Sequence, residues 1–232
     1  MQSWTLTSTM ECERQLPTMK NVRLKLVSFD LDGTILRGNM INYAKIPEAL
    51  HRKITEYDEL HFVGELGYEE MLQIEFGLLR GMRIDEIFPE VEKLPLVKDL
   101  DETIQRLRGA GVRTVILTDN LSFALEPLRK FGFHDIIASE AEISNGALTG
   151  RMKLLTNKLV GLREYCKRHE IELASCAHVG DWTNDIVVFR AVGLSVAFNA
   201  SIDSVTRAAT YAVNSDSLLD VYRVLEPSLP AR

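Results

Sequence analysis

Leu24-Lys25-Leu26-Val27-Ser28-Phe29-Asp30-Leu31-Asp32-Gly33-Thr34 is the stretch from which the rest of this chain is read. Six short, β-prone and largely apolar residues stop at two acids and a glycine, the pattern of a strand that ends in a loop. Two carboxylates one residue apart then stand where a buried strand meets solvent, and in an open parallel sheet ligands gather at the carboxyl ends of strands. If extended geometry simply continues, Asp30 and Asp32 share a side and Leu31 faces the other way. Like charges so close need a counterion, which a hard divalent cation with oxygen ligands supplies. The plainer reading is that the two acids cap a turn opening the next segment.

Further apolar strands are predicted at Val112–Leu117, Asp135–Ala138, Cys176–Val179 and Leu194–Phe198, with helical patterning between most of them. Leu96, Leu100, Ile104 and Leu107 form one helical stripe. Alternating strand and helix argues for a parallel α/β sheet. Ser144-Asn145-Gly146 reads as a hairpin turn carrying a small antiparallel flap. Residues 38–94 break the alternation, because Ile46–Tyr57, Tyr68–Leu79 and Ile84–Val91 all suit helices, with glycines near their ends. The predicted organisation is a loosely held leader over 1–20, a catalytic core over 21–37 and 95–232, and a helical cap over 38–94 inserted after the first strand.

A chain of 232 residues that is 46% hydrophobic can bury one substantial core. Its net charge of -6 leaves no broad basic field for a nucleic-acid backbone or an anionic membrane, so a small-molecule partner is expected. Cys12, Cys166 and Cys176 form no C-x-x-C pair and point to a reducing compartment. With no apolar run of membrane-spanning length and no signal-peptide pattern at the start, the expected location is the cytoplasm. The five histidines show no metal-ligand spacing; His178, on an apolar strand, reads as a core residue. Trp4 and Trp182 read as packing residues, with Trp182 next to an acidic loop.

For chemistry, one carboxylate of the first loop can be a nucleophile and its neighbour a general acid and base. Asp30 at an ordinary carboxylate pKa is ionised at neutral pH, whereas Asp32 must have its pKa raised by burial and neighbouring negative charge to hold a proton.

Asp30-Leu31-Asp32-Gly33-Thr34 after an apolar strand resembles the first motif of the haloacid dehalogenase superfamily. The resemblance implies that Asp30 is phosphorylated and that Asp32 is the acid and base. Three later segments match the remaining motifs in order. Val115-Ile116-Leu117-Thr118 ends a strand in the hydroxyl that bonds a phosphoryl oxygen, followed by Asp119 and Asn120 where related chains often carry glycines. Lys158, preferred to Lys153, opens a helix and offsets charge. Val179-Gly180-Asp181-Trp182-Thr183-Asn184-Asp185 resembles the G-D-x-x-N-D form.

The family pattern implies a Rossmann-like parallel sheet with helices on both faces. It also implies a Mg2+ cofactor, with Asp30, Asp32 (through its backbone carbonyl), Asp181 and Asp185 as its metal residues. Asp185 would act from behind the ion or hold Lys158. Phosphate binding would fall to Asp30, Gly33, Thr118, Asp119, Asn120, Lys158 and Asn184. The chain is most similar to the phosphoserine phosphatase-like branch, over residues 22–226, and a small phosphate monoester is the implied substrate. Two positions depart from that branch: Asn39 stands at or next to the acid that meets the substrate ammonium, and Glu75 near the Arg that meets its carboxylate. Arg80 and Arg83 are candidates to replace that Arg. Other readings are a phosphatase or phosphomutase for a different sugar or cofactor phosphate, and a non-catalytic module signalling through phosphorylated Asp30.

Overall fold

The computed structural model describes residues 22–88 and 93–230. The predicted leader, with Trp4 and Cys12, and the last part of the predicted Ile84–Val91 helix lie outside the described residues.

Seven strands form one sheet: β1 Leu26–Phe29, β2 Arg113–Leu121, β3 Asp135–Ser144, β4 Ala147–Lys153, β5 Cys176–Gly180, β6 Leu194–Phe198 and β7 Tyr211–Val213. Their order is β4-β3-β2-β1-β5-β6-β7, parallel throughout except for the antiparallel β3–β4 pair. All four residues of β1 are buried, as a strand covered on both faces requires. Val27 and Phe29 pack with Ile104, Leu107, Val221 and Leu225 on one side, from helices α4 Leu100–Gly109 and α9 Leu219–Leu225. Leu26 packs on the other, with Leu162, Tyr165 and Cys166 of α6 Lys158–Arg168 and Val188 of α7 Ile186–Phe189. This is the doubly wound α/β sheet that the alternation predicts. Cys166 and Cys176 are buried free thiols in the second layer.

Between β1 and β2 the chain makes α1 Glu48–Phe62, α2 Tyr68–Leu78 and the single turn α3 Ile84–Ile87. Met71, Leu72, Phe76, Leu79 and Ile87 pack against Leu121 at the end of β2 and Leu148 in β4. The helical insert therefore rests over the carboxyl end of the sheet and its hairpin. The hairpin turn places Asn145 at φ 52° and Gly146 at φ 78°, as a tight two-residue connection requires. Among the described residues the other α-helices are the short α5 Ser122–Leu125 and α8 Asp203–Ala208.

Several boundaries differ from those predicted: β2 runs on to Leu121 and α1 to Phe62, and two further shifts have a visible cause or consequence. The stripe beginning at Leu96 predicts one helix, yet α4 starts at Leu100, because Leu96 bridges to Leu36 and the Val97 N–H bonds the Ile35 carbonyl. Asp99, at φ 59°, then turns the chain into the helix. β3 runs to Ser144, so one continuous strand serves first as core and then as flap.

Candidate active site

Register brings the site together. Phe29 lies opposite Ile116 in β2 and Val179 in β5, so Asp30 and Asp181 leave their strands at one edge, beside Thr118 of β2. After β1 the chain winds outward through β2, β3 and β4, then returns to β5 on the other flank of β1. The crevice between β1 and β5 is thus the topological switch point, where α/β sheets bind ligands.

Asp30 is 4% exposed, and its N–H bonds the Val179 carbonyl at 2.8 Å. Asn157 caps α6 by accepting the N–H groups of Leu159 and Val160, which sets Lys158 at the first turn, pointed inward. The Lys158 ammonium, 2% exposed, lies 2.8 Å from Asp30 Oδ1, 2.7 Å from Asp185 Oδ1 and 3.4 Å from Asn184 Oδ1. Lys153, the alternative, is exposed at the end of β4, opposite Glu140.

Asp185 is fully buried, and both of its oxygens are engaged. Oδ2 accepts the N–H groups of Asp181 and Trp182 at 3.0 and 3.1 Å, while Oδ1 faces Lys158 and His178 Nε2. Gly180 allows this approach, since a Cβ there would sit 2.3 Å from Asp185 Oδ2. Gly33 plays the same part for Asp181: at φ 74°, a Cβ would lie 2.1 Å from Asp181 Oδ2. Thr34 Oγ1 donates to Asp181 Oδ1 at 3.1 Å.

Asp32 turns away from the Lys158 group. Its oxygens accept the Met40 N–H at 2.8 Å and Asn120 Nδ2 at 2.9 Å. Thr118 Oγ1, nearly fully buried, accepts from the backbone and side chain of Asn120, both at 3.3 Å. Asn184 Nδ2 donates to Asp119 Oδ2 at 3.0 Å. Ten sequence-predicted residues therefore form one connected neighbourhood: Asp30, Asp32, Gly33, Thr118, Asp119, Asn120, Lys158, Asp181, Asn184 and Asp185.

The electrostatics are those of too many acids around one cation. Burial lifts the Asp30 carboxyl well above its ordinary value despite Lys158, with Asp185 and Asp119 adding to the rise. The ordinary pKa that the sequence alone suggests for Asp30 is corrected by that burial. Asp181 is lifted to about 7, by burial and then by Asp185. In Asp185 burial is outweighed by Lys158 and His178, and its pKa falls. Lys158, against the effect of burial, is held protonated by Asp185 and Asp30. Burial raises Asp32 to about 6, partly offset by its bonds from Asn120 and Met40. Carboxylate oxygens of Asp30, Asp181 and Asp185 lie within 4.8 Å of one another. An all-oxygen donor set with surplus negative charge fits a hard divalent cation.

Five side chains stand differently from the sequence reading or outside it. His178 is a buried link and not mere core filling: with Nε2 protonated it donates to Asp185, leaving Nδ1 to accept from the Ser28 hydroxyl at 2.9 Å. A polar residue inside an apolar strand adjoining the acidic loop is the one local signal for it. Tyr68, at the start of α2, donates its hydroxyl hydrogen bond to Asp119 Oδ2. Trp182, read as a packing residue, is 45% exposed beside the acidic loop. Arg80 and Arg83 do not enter the site: Arg83 pairs with Asp85, and Arg80 lies along Gly150 of the hairpin.

Glu75, on α2, is 7% exposed and shares a hydrogen bond with Asp58 on α1. Burial, followed by Asp58, raises its pKa to about 8, and Asp58 is raised too. An unfolded Glu loses its proton near pH 4.5, so between there and pH 8 the folded form binds more protons and stability falls as pH rises. Glu75→Gln should flatten that decline. Urea midpoints at pH 5 and pH 8 test this; parallel declines in the two proteins would mean that Glu75 ionises alike in both states.

A model of the haloacid dehalogenase-like hydrolase family matches residues 27–190. The phosphoserine phosphatase of Archaeoglobus fulgidus is 26% identical over 216 residues, covering 91% of this chain and 62% of that protein. Phosphoserine phosphatase SerB2 of Mycobacterium tuberculosis is 31% identical over 181 residues, covering 76% of this chain and 44% of that protein. This chain thus spans less than two thirds of the length of both relatives. A solved phosphoserine phosphatase, a phospho-aspartyl intermediate analogue, superposes with a TM-score of 0.71 at 22% identity, over 87% of this chain and 99% of that one. That likeness is one of fold.

Proposed function

This chain belongs to the haloacid dehalogenase-like hydrolase family, and on that premise we propose that it is a magnesium-dependent phosphatase of small phosphate monoesters, with Asp30 as nucleophile. The observation that carries the reading is the buried meeting of Asp30, Lys158, Asp181 and Asp185 at the β1–β5 switch point, with Asp32 held beside it by Met40 and Asn120. The phosphoserine phosphatases among its relatives lend weight to the phosphatase assignment.

Phosphate monoester hydrolysis is among the slowest uncatalysed reactions, so the site must lower the barrier by roughly 20 kcal/mol or more. Asp30, Asp181 and the Asp32 carbonyl, with Asp185 beside them, would hold magnesium, which when bound would supply positive charge to offset the carboxylates and the phosphoryl group. An Asp30 carboxylate oxygen attacks phosphorus as the ester P–O bond breaks. The departing oxygen takes the proton of Asp32, whose raised pKa suits a group that must hold one, and leaves as the alcohol. Lys158 and the Thr118 hydroxyl bind the phosphoryl oxygens as charge moves onto them. The Asp32 carboxylate then takes a proton from water, whose oxygen attacks the aspartyl phosphate; the P–O bond to Asp30 breaks and inorganic phosphate leaves. In this reading residues 38–94 serve as a cap, keeping bulk water from the intermediate.

Phosphate release from p-nitrophenyl phosphate and a panel of phosphorylated metabolites, with and without magnesium, tests the proposal. Release of one phosphate per alcohol, dependent on magnesium, is expected. An aspartyl phosphate that persists for minutes, with no phosphate freed, would instead identify a signalling module.

A further inference from the structure

The face of α2 that carries Tyr68 holds one buried acid, Glu75. Tyr68 reaches Asp119, which Asn184 ties to the Lys158 group, so this face of the helix is turned toward the reacting end of Asp30. Residues 68, 72 and 75 follow one another along one side of a helix. Leu72 and Glu75 are both buried. Glu75 therefore lies on the same face as Tyr68, about 10 Å further along the axis at 1.5 Å per residue. Asp119 and Asp58 both add negative charge at Glu75.

Glu75 Oε1 is buried and has no hydrogen-bond partner. An unpartnered buried carboxyl oxygen is unfavourable by itself and marks a place where a donor is missing. Among the described residues no buried cation stands ready to fill it. Lys158 is the buried Lys or Arg among the described residues, and it is already engaged by Asp30, Asp185 and Asn184. Arg80 and Arg83 are exposed on the hairpin side.

We propose that Glu75 is a specificity determinant, and that the preferred substrate is a phosphate monoester whose alcohol carries an ammonium group and no carboxylate. The inference rests on the phosphatase reading of the same site. An ammonium donates to the orphan oxygen, and its positive charge draws Glu75 from the protonated form into the ionised one, so that the acidic wall of Glu75 and Asp119 is matched by the ligand. A carboxylate in that position has Asp119 and the Glu75–Asp58 pair as neighbours and gains no cation, so it binds less well.

The test uses O-phosphoethanolamine, O-phospho-L-serine and glycerol 3-phosphate, with magnesium present. Calorimetric binding to the Asp30→Asn protein reads recognition, and kcat/KM on the unaltered protein reads turnover. Phosphoethanolamine is expected to lead both other compounds by about 10-fold or more in each measurement. Glu75→Arg should invert the order in favour of phosphoserine, and the milder Glu75→Gln should shrink the preference if the Arg protein fails to fold. Phosphoserine or glycerol phosphate binding as well as phosphoethanolamine, or an order indifferent to Glu75, overturns the inference. Phosphate release from all three without an ammonium preference rejects the acidic wall and leaves the phosphatase reading standing. Selective binding without phosphate release does the reverse.

Discussion

Asp30→Asn is expected to lower kcat by about 10^4-fold or more while leaving the protein folded, because losing a covalent nucleophile forfeits the whole two-step route. The amide keeps the shape of the carboxyl, and the backbone bond from the Asp30 N–H to the Val179 carbonyl does not involve the side chain. Lys158 keeps its 2.7 Å contact with Asp185, so the ammonium is not stranded. Removing one acid also relieves crowding among Asp30, Asp181 and Asp185. The unfolding midpoint should therefore hold or rise while turnover disappears. A variant that retains full phosphate release shows that some group other than Asp30 accepts the phosphoryl group.

Lys158→Met should damage both stability and activity. The ammonium is the one cation set between Asp30 and Asp185, and the partners it leaves behind are 4% and 0% exposed. Breaking a buried ion pair by deleting one partner typically costs about 3–5 kcal/mol, since the remaining charge is uncompensated. Here two carboxylates are left, and the hydrogen bond to Asn184 Oδ1 goes with the ammonium, loosening the side chain that also holds Asp119. A drop in urea midpoint of that size is expected. Activity should fall by roughly 10^2- to 10^3-fold, the usual effect of removing one charge-stabilising donor. Equal stability of the two proteins would show that the carboxylates are compensated without Lys158.

Where the chain is locally patterned, the sequence is a reliable guide. The apolar run before Asp30, the strand end near Gly180, the helix start at Lys158 and the hairpin at Asn145-Gly146 all depend on neighbours a few residues away, and each lies where its pattern places it. Where a boundary depends on distant chain, the sequence misleads. Leu96 has the spacing of a helix residue, but Ile35 and Leu36, some sixty residues earlier, draw it and Val97 into extended pairing.

Residue types and order along the chain were enough to identify an α/β sheet and the paired acids after its first strand, because strand and helix periods and turn chemistry are properties of short segments; the hydroxyl and the lysine were singled out by the resemblance to the family's motifs in their order. Tertiary structure alone decided what each of those side chains meets. Asp185 takes Lys158, His178 and two backbone N–H groups, Tyr68 meets Asp119, Glu75 is left with an orphan oxygen, and Arg80 and Arg83 turn to the hairpin. Burial itself, which raises Asp30, Asp32 and Asp181, exists only once separate layers close over them. The reason is physical: desolvation and partnering come from packing between remote segments, and no short stretch of chain contains them.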